Sequence, residues 1–145
     1  MHSRWQIPYC RDDVYAVLAD PEGYESWWPQ VHDAHALDAT SGQARFRSLL
    51  PVSLSVRLTQ DRIDPATGTL RARLDGDLAG WSQWTVSADS VHPQHSVVEF
   101  DQQVDFTKHV APAPLWLLRP ILHANHRYMM WSGTRGLIQK LVGTP

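Results

Sequence analysis

Cysteine is almost absent from this 145-residue chain. The single residue, Cys10, has no partner for an internal disulfide, so the fold must rest on burial of apolar surface rather than on covalent staples. Charge of one sign is lacking as well. Thirteen Lys and Arg stand against fifteen Asp and Glu, a formal net charge of −2 with the eight histidines neutral. The cations are scattered, so no basic stripe marks a nucleic-acid partner. No apolar run reaches the roughly 18 residues of a membrane span, because Arg, Pro, His or Asp interrupts each candidate. The N-terminal segment shows neither a basic leader nor the apolar core of a signal peptide, which predicts a cytoplasmic protein. Chemical motifs are equally scarce. Gly68, Gly76 and Gly80 are read as strand-end turns and form no phosphate loop, and no paired carboxylates or His–Asp dyad stand out. His32/His35, His92/His95 and His123/His126 are each spaced three apart without an acidic residue to complete a ligand set, so neither a metal nor any other cofactor is expected. Cys10 has no histidine near it in sequence and is given no nucleophilic role.

What the chain does have is tryptophan. The seven are Trp5, Trp27, Trp28, Trp81, Trp84, Trp116 and Trp131. They are read either as core filling or as a rigid wall around an apolar guest. The length suits one domain covering residues 1–145, large enough to bury a core.

Local patterns set out the order of elements. His2–Ile7 suits a short first strand with Trp5 and Ile7 on one side, closed by Pro8. Val14, Val17 and Leu18 space a helix over Arg11–Ala19, with Asp12 and Asp13 in its first turn. A second short helix is predicted over Pro21–Trp28, begun by Asp20 and Pro21 and ended before Pro29. Six antiparallel strands follow, over Val31–Ala39, Ala44–Leu50, Leu54–Ile63, Leu70–Asp75, Trp81–Ala88 and Ser96–Thr107, with a turn expected at Ser41-Gly42. Their alternation covers one face and wets the other. Leu54, Val56 and Leu58 share a face, as do Leu70, Ala72 and Leu74, opposite Arg71 and Arg73. In the last strand Val98, Phe100, Val104 and Phe106 share the covered face with polar Gln102, and Ser82 lies similarly beside Trp84 and Val86.

A long closing helix is predicted over Pro112–Val142, kinked or broken at Pro120. One line along it carries Leu115, Arg119, Leu122, His126, Met129, Met130, Gly133, Leu137 and Leu141. Polar Arg119 and His126 interrupt that stripe. An unpaired buried polar group costs about 1–3 kcal/mol, so the interruptions favour a partly hollow core in which water or a guest satisfies them. The opposite face, with Ile121, Ala124, Tyr128, Trp131, Ile138 and Val142, is apolar too. It is read either as a homodimer surface or as the face that lines the cavity through Tyr128 and Trp131.

The segment Val14-Tyr15-Ala16-Val17-Leu18-Ala19-Asp20-Pro21 with Tyr24 and Trp27-Trp28-Pro29, together with Arg119-Pro120 and Asn125-His126, resembles the START-like superfamily. That superfamily is also called SRPBCC or birch-pollen-allergen-like, and it includes the polyketide cyclase/dehydrase and lipid-transport group. The resemblance implies an α+β helix-grip fold: a curved antiparallel sheet of about seven strands wrapped around the C-terminal helix, with an apolar cavity between them. It implies binding of a small hydrophobic or aromatic ligand, lipid or polyketide-like. The alternatives are a polyketide cyclase/dehydratase-type enzyme and a non-catalytic interaction domain.

The expected ligand-binding residues are Trp84, Phe100, Gln102, Arg119, Leu122, Asn125, His126, Met129 and Met130. His126 is the catalytic candidate, a general base for proton abstraction beside a carbonyl, with Asn125 or Gln102 as oxyanion partner. Its other reading is a structural histidine bonded to a strand carbonyl. Arg119 is assigned either to an acidic ligand group or to a pair with Asp101 or Asp105.

Overall fold

In the computed structural model, apolar and polar residues alternate through seven strands: β1 (His2–Ile7), β2 (Val31–Ala36), β3 (Ser41–Phe46), β4 (Leu54–Asp64), β5 (Thr69–Gly76), β6 (Leu78–Ala88) and β7 (Ser96–Phe106). Between β1 and β2 lie α1 (Arg11–Leu18) and a 3-10 helix (Pro21–Ser26), and the chain closes with α2 (Leu115–Val142). The structure describes residues 2–47, 53–107 and 115–143, excluding the side chains of Phe106, of residues 115–119, and of Ile121 and Leu122. All seven strands join one antiparallel sheet in the order β1-β7-β6-β5-β4-β3-β2. Curvature of this sheet around α2 produces the helix-grip arrangement, α+β, expected above.

Several boundaries differ from the sequence reading. Ser41 and Gly42 do not turn; they open β3, pairing with Thr59 and Leu58. The Asp38 side chain makes the turn instead, accepting the backbone N–H groups of Thr40 at 2.9 Å and Ser41 at 2.8 Å, a local side-chain turn that releases the strand early. Gly80 is inside β6 opposite Val104, not at a strand end. It has φ +150, and a Cβ there would meet the Gln103 carbonyl oxygen at 2.0 Å. Pro120 does not break α2, which runs through it. Near the helix start, its missing N–H removes one backbone bond while the turns that follow are unaffected.

Burial divides α2 lengthwise. Met130, Leu137 and Leu141 are in the core, whereas Tyr128, Trp131 and Val142 are exposed. The expected stripe therefore faces the sheet, and the reading in which Tyr128 and Trp131 line the cavity is overturned. Tyr128 and Trp131 lie on the outside with ring centroids 6.1 Å apart, and Arg135 covers Trp131 at 4.9 Å.

The seat of α2 is made from two glycines and two tryptophans. A Cβ at Gly136 would meet the Trp27 carbonyl oxygen at 1.6 Å, and one at Gly133 would meet the Trp28 ring at 2.9 Å. Only bare backbone fits so close. The Trp28 indole N–H donates to the Met129 carbonyl at 2.9 Å, which fixes the helix along its axis as well. Replacing Gly136 by Ala gains about 1 kcal/mol of helix propensity, but the clash is with backbone and cannot be relieved by a rotamer. We expect Gly136→Ala to lower unfolding stability by about 2 kcal/mol in urea titrations. Gly143→Ala, whose Cβ would find nothing nearer than 3.7 Å, should be close to neutral. Equal stability of the two variants would contradict the seat.

Candidate functional site

Strand register lays three rows across the concave face of the sheet. One is apolar: Ile63 opposite Leu70, Leu70 opposite Trp84, Trp84 opposite Phe100. The next runs Gln60, Ala72, Ser82, Gln102, polar except for the small Ala72. The third, with Leu58 opposite Leu74 and Gly80 opposite Val104, is again apolar or bare. A register shift between Gln60 and Arg62 brings Ile63, rather than Arg62, opposite Leu70. Asp61, the extra residue, meets Arg71 at 3.1 Å and Arg73 at 4.0 Å. The bulge thus keeps charge off the concave face while the strand continues.

Above the floor, α2 stands away from the sheet and a chamber of about 840 Å³ remains. Ligand pockets commonly measure about 300–1,000 Å³, so a whole small molecule fits. One end is sealed by aromatic rings. Trp5 lies 6.4 Å from Trp28 and 5.1 Å from Trp84, Trp27 stacks on Trp28 at 5.4 Å and 15°, and Trp84 meets Phe100 at 4.5 Å. Tyr24 completes the seal, its hydroxyl donating to the Leu18 carbonyl at 2.5 Å. Burial pushes the Tyr24 phenol far above its ordinary value, so it serves as a fixed donor and not as a titrating acid.

Helix α2 supplies the roof through Asn125, His126, Met129 and Met130. The His126 ring stacks over Phe100 with centroids 6.2 Å apart and planes at 24°. Its Nε2 is buried and has no hydrogen-bond partner among the described residues. Burial in this apolar setting, helped by the charge of nearby His123, lowers its pKa to about 4. His126 is therefore a neutral imidazole near pH 7, with a buried Nε2 that no described residue pairs. No strand carbonyl takes that atom. Asn125 Nδ2 donates to Met129 Sδ at 3.7 Å.

Of the residues singled out from the sequence, Trp84, Phe100, Gln102, Asn125, His126, Met129 and Met130 all border the chamber. The side chains of Arg119 and Leu122 lie outside the described residues. Asp101, considered as a partner of Arg119, accepts a hydrogen bond from His2 Nδ1 at 2.7 Å. Sequence reasoning missed Gln60, Ala72 and Tyr24 as wall residues. Gln60 follows Leu58 at strand spacing, which was the available signal for it. Among the described residues, no group of three or more His, Cys, Asp or Glu could hold a metal ion, and no helix is long and apolar enough to cross a membrane.

A curved sheet gripping a long C-terminal helix over a chamber defines the START and birch-allergen-like superfamily. Within it, the chain belongs to the polyketide cyclase/dehydrase and lipid transport family, whose sequence pattern matches residues 5–139. Among solved structures, it is similar to the Zhui aromatase/cyclase from Streptomyces sp. R1128 at TM-score 0.78 and 14% identity, covering 98% of this chain and 92% of that one. It is similar to a START superfamily protein from Mycobacterium smegmatis at TM-score 0.77 and 12% identity, covering 97% of each. The protein Ara h 8.0201 aligns at TM-score 0.68 and 14% identity, covering 99% of this chain and 97% of that one. Identities this low carry the fold alone. No curated protein matches the sequence.

The lowered pKa of His126 has a consequence for stability. Between about 4 and the ordinary 6.5 the folded chain binds fewer protons at this site than the unfolded chain does. Its contribution is thus full above pH 6.5, declines as pH falls through that value, and is gone near pH 4, with a slope of at most about 1.4 kcal/mol per pH unit. In urea titrations at pH 7.5 and 5, the wild type should lose more stability than His126→Gln. Parallel losses would show that the imidazole is not held neutral.

Proposed function

We propose that the protein binds a small apolar or aromatic molecule in the chamber between the sheet and α2. The observation that carries this reading is the 840 Å³ space itself, roofed by His126 with an unpartnered Nε2. Leaving that volume unfilled forfeits dispersion contacts along its walls, and a guest restores them. The polar row Gln60, Ser82 and Gln102 would meet an oxygen function part-way along the guest, flanked by apolar contacts on both sides. Family membership supports the same reading, since the family's description includes lipid transport.

Ala72 stands at the centre of the floor, and a larger side chain there would project into the chamber without displacing core. The neutral dye N-phenyl-1-naphthylamine should bind the wild type, and Ala72→Phe should weaken it tenfold or more while leaving the fold intact by circular dichroism. Failure of the wild type to bind this dye, or equal binding by the variant, would defeat the reading.

The second reading is a cyclase or dehydratase in which His126 takes a proton, with Asn125 or Gln102 facing the developing oxyanion. The family's description, which names polyketide cyclase and dehydrase, favours it. The pKa of about 4 opposes it, because so weak a base has little driving force to remove a proton beside a carbonyl. If a poly-β-ketone analogue is turned over, His126→Ala should abolish turnover while the variant stays folded. Full activity in that variant would remove His126 from the chemistry.

A further inference from the structure

A second cavity, of about 520 Å³, lies between the start of β1 and the middle of α2. His123, His126 and Met130 border both this cleft and the main chamber, so these three side chains form the partition between them. The cleft's charge is one-sided. His2, Arg4, His123 and Arg127 line it, and no carboxylate does. Glu99 is the cross-strand neighbour of Arg4 and Asp101 takes the hydrogen bond of His2. Arg4 and Arg127 nevertheless form no ion pair among the described residues. Helix α2 repeats the bias. Its 28 residues include Arg119, Arg127, Arg135 and Lys140 and no Asp or Glu, in a chain whose formal net charge is −2.

The opposite mouth of the chamber has another character. Glu22 and Asp38 border it. Arg71, the cation on that side, is already engaged by Asp61 at 3.1 Å and covers Trp81 at 4.2 Å. An anion carried by a guest would be repelled there, and it could not stay deep in the chamber beside Phe100 and a neutral imidazole without a large desolvation cost. The cleft beside β1 is where such a group would find uncommitted guanidinium donors suited to a carboxylate.

We propose that the guest is an amphipathic acid, with its apolar body in the chamber and its carboxylate in the β1–α2 cleft, held by Arg4 and Arg127. His123, His126 and Met130, the side chains shared by the two cavities, lie where the apolar body meets the carboxylate. This rests on the ligand-binding reading and specifies the class of ligand.

The test uses two probes of matched chain length, dodecanoate and 1-dodecanol, each displacing N-phenyl-1-naphthylamine at pH 7.5. In Arg4→Gln/Arg127→Gln, dodecanoate should bind at least tenfold more weakly than in the wild type, with dodecanol changed less than twofold. Raising salt should weaken dodecanoate alone. Arg127→Gln by itself, a change on an exposed helix position, should act in the same direction if the double variant does not fold. Dye binding by the wild type with equal losses for both probes, or with no loss for dodecanoate, would overturn the acid proposal and leave the chamber reading standing. Failure of the wild type to bind the dye would overturn both.

Discussion

The approach of α2 to the Trp27–Trp28 backbone is the constraint on which the rest of the structure depends. Gly133 and Gly136 bring the helix within reach of both residues, and the Trp28 indole holds it through the Met129 carbonyl. With its C-terminal half clamped in this way, α2 presents Asn125, His126, Met129 and Met130 from its middle turns to the chamber. Trp5, Trp27 and Trp28 pack beside this clamp, and the chamber lies beside the middle of the helix. A large aromatic cluster and a large void are thus products of the same geometry. Trp5 and Trp27 are buried away from the chamber, whereas Trp28 and Trp84 are buried and also border it.

Much of the fold was legible because its determinants are periodic. Alternation along β4 to β7 and the spacing of Leu137 and Leu141 with Met130 report which face is covered, and register carries those faces into rows. The details that escaped are those set by single contacts between distant residues. Nothing near Gly136 in sequence shows that a tryptophan carbonyl will lie against it. The β4 bulge depends on Asp61 meeting arginines from the next strand, and the true β2–β3 turn depends on one aspartate side chain outcompeting the Ser-Gly signal beside it. For the site, Phe100, Gln102 and Trp84 were readable from strand parity. The state of His126 was not, because an imidazole's proton depends on surrounding burial and partners, and these exist only after folding.

The chemistry of the chamber follows from keeping polarity local. Apolar rows lie on either side of Gln60, Ser82 and Gln102, so the polar groups of the chamber floor are confined to one line. His126 contributes a hydrogen-bonding atom without contributing charge, which suits recognition in an apolar enclosure better than it suits proton abstraction. Charge is confined to the rims, acidic beside the 3-10 helix and the β2–β3 turn, basic beside β1 and α2. On the proposed reading, such a layout would orient a guest as well as enclose it. The fold hosts many activities, and it is this distribution of polar groups, not the architecture, that separates one from another.

The central claim is that the interior beneath the middle of α2 is hollow while the Trp5–Trp27–Trp28 cluster is filled. Crystals of the protein pressurised with xenon test this most directly, since xenon enters apolar voids without needing a specific ligand. The account predicts xenon density between Leu58, Leu74, Phe100 and Met129, and none within the Trp5–Trp27–Trp28 cluster. Side chains packed across the space under α2, with no xenon there, would contradict it.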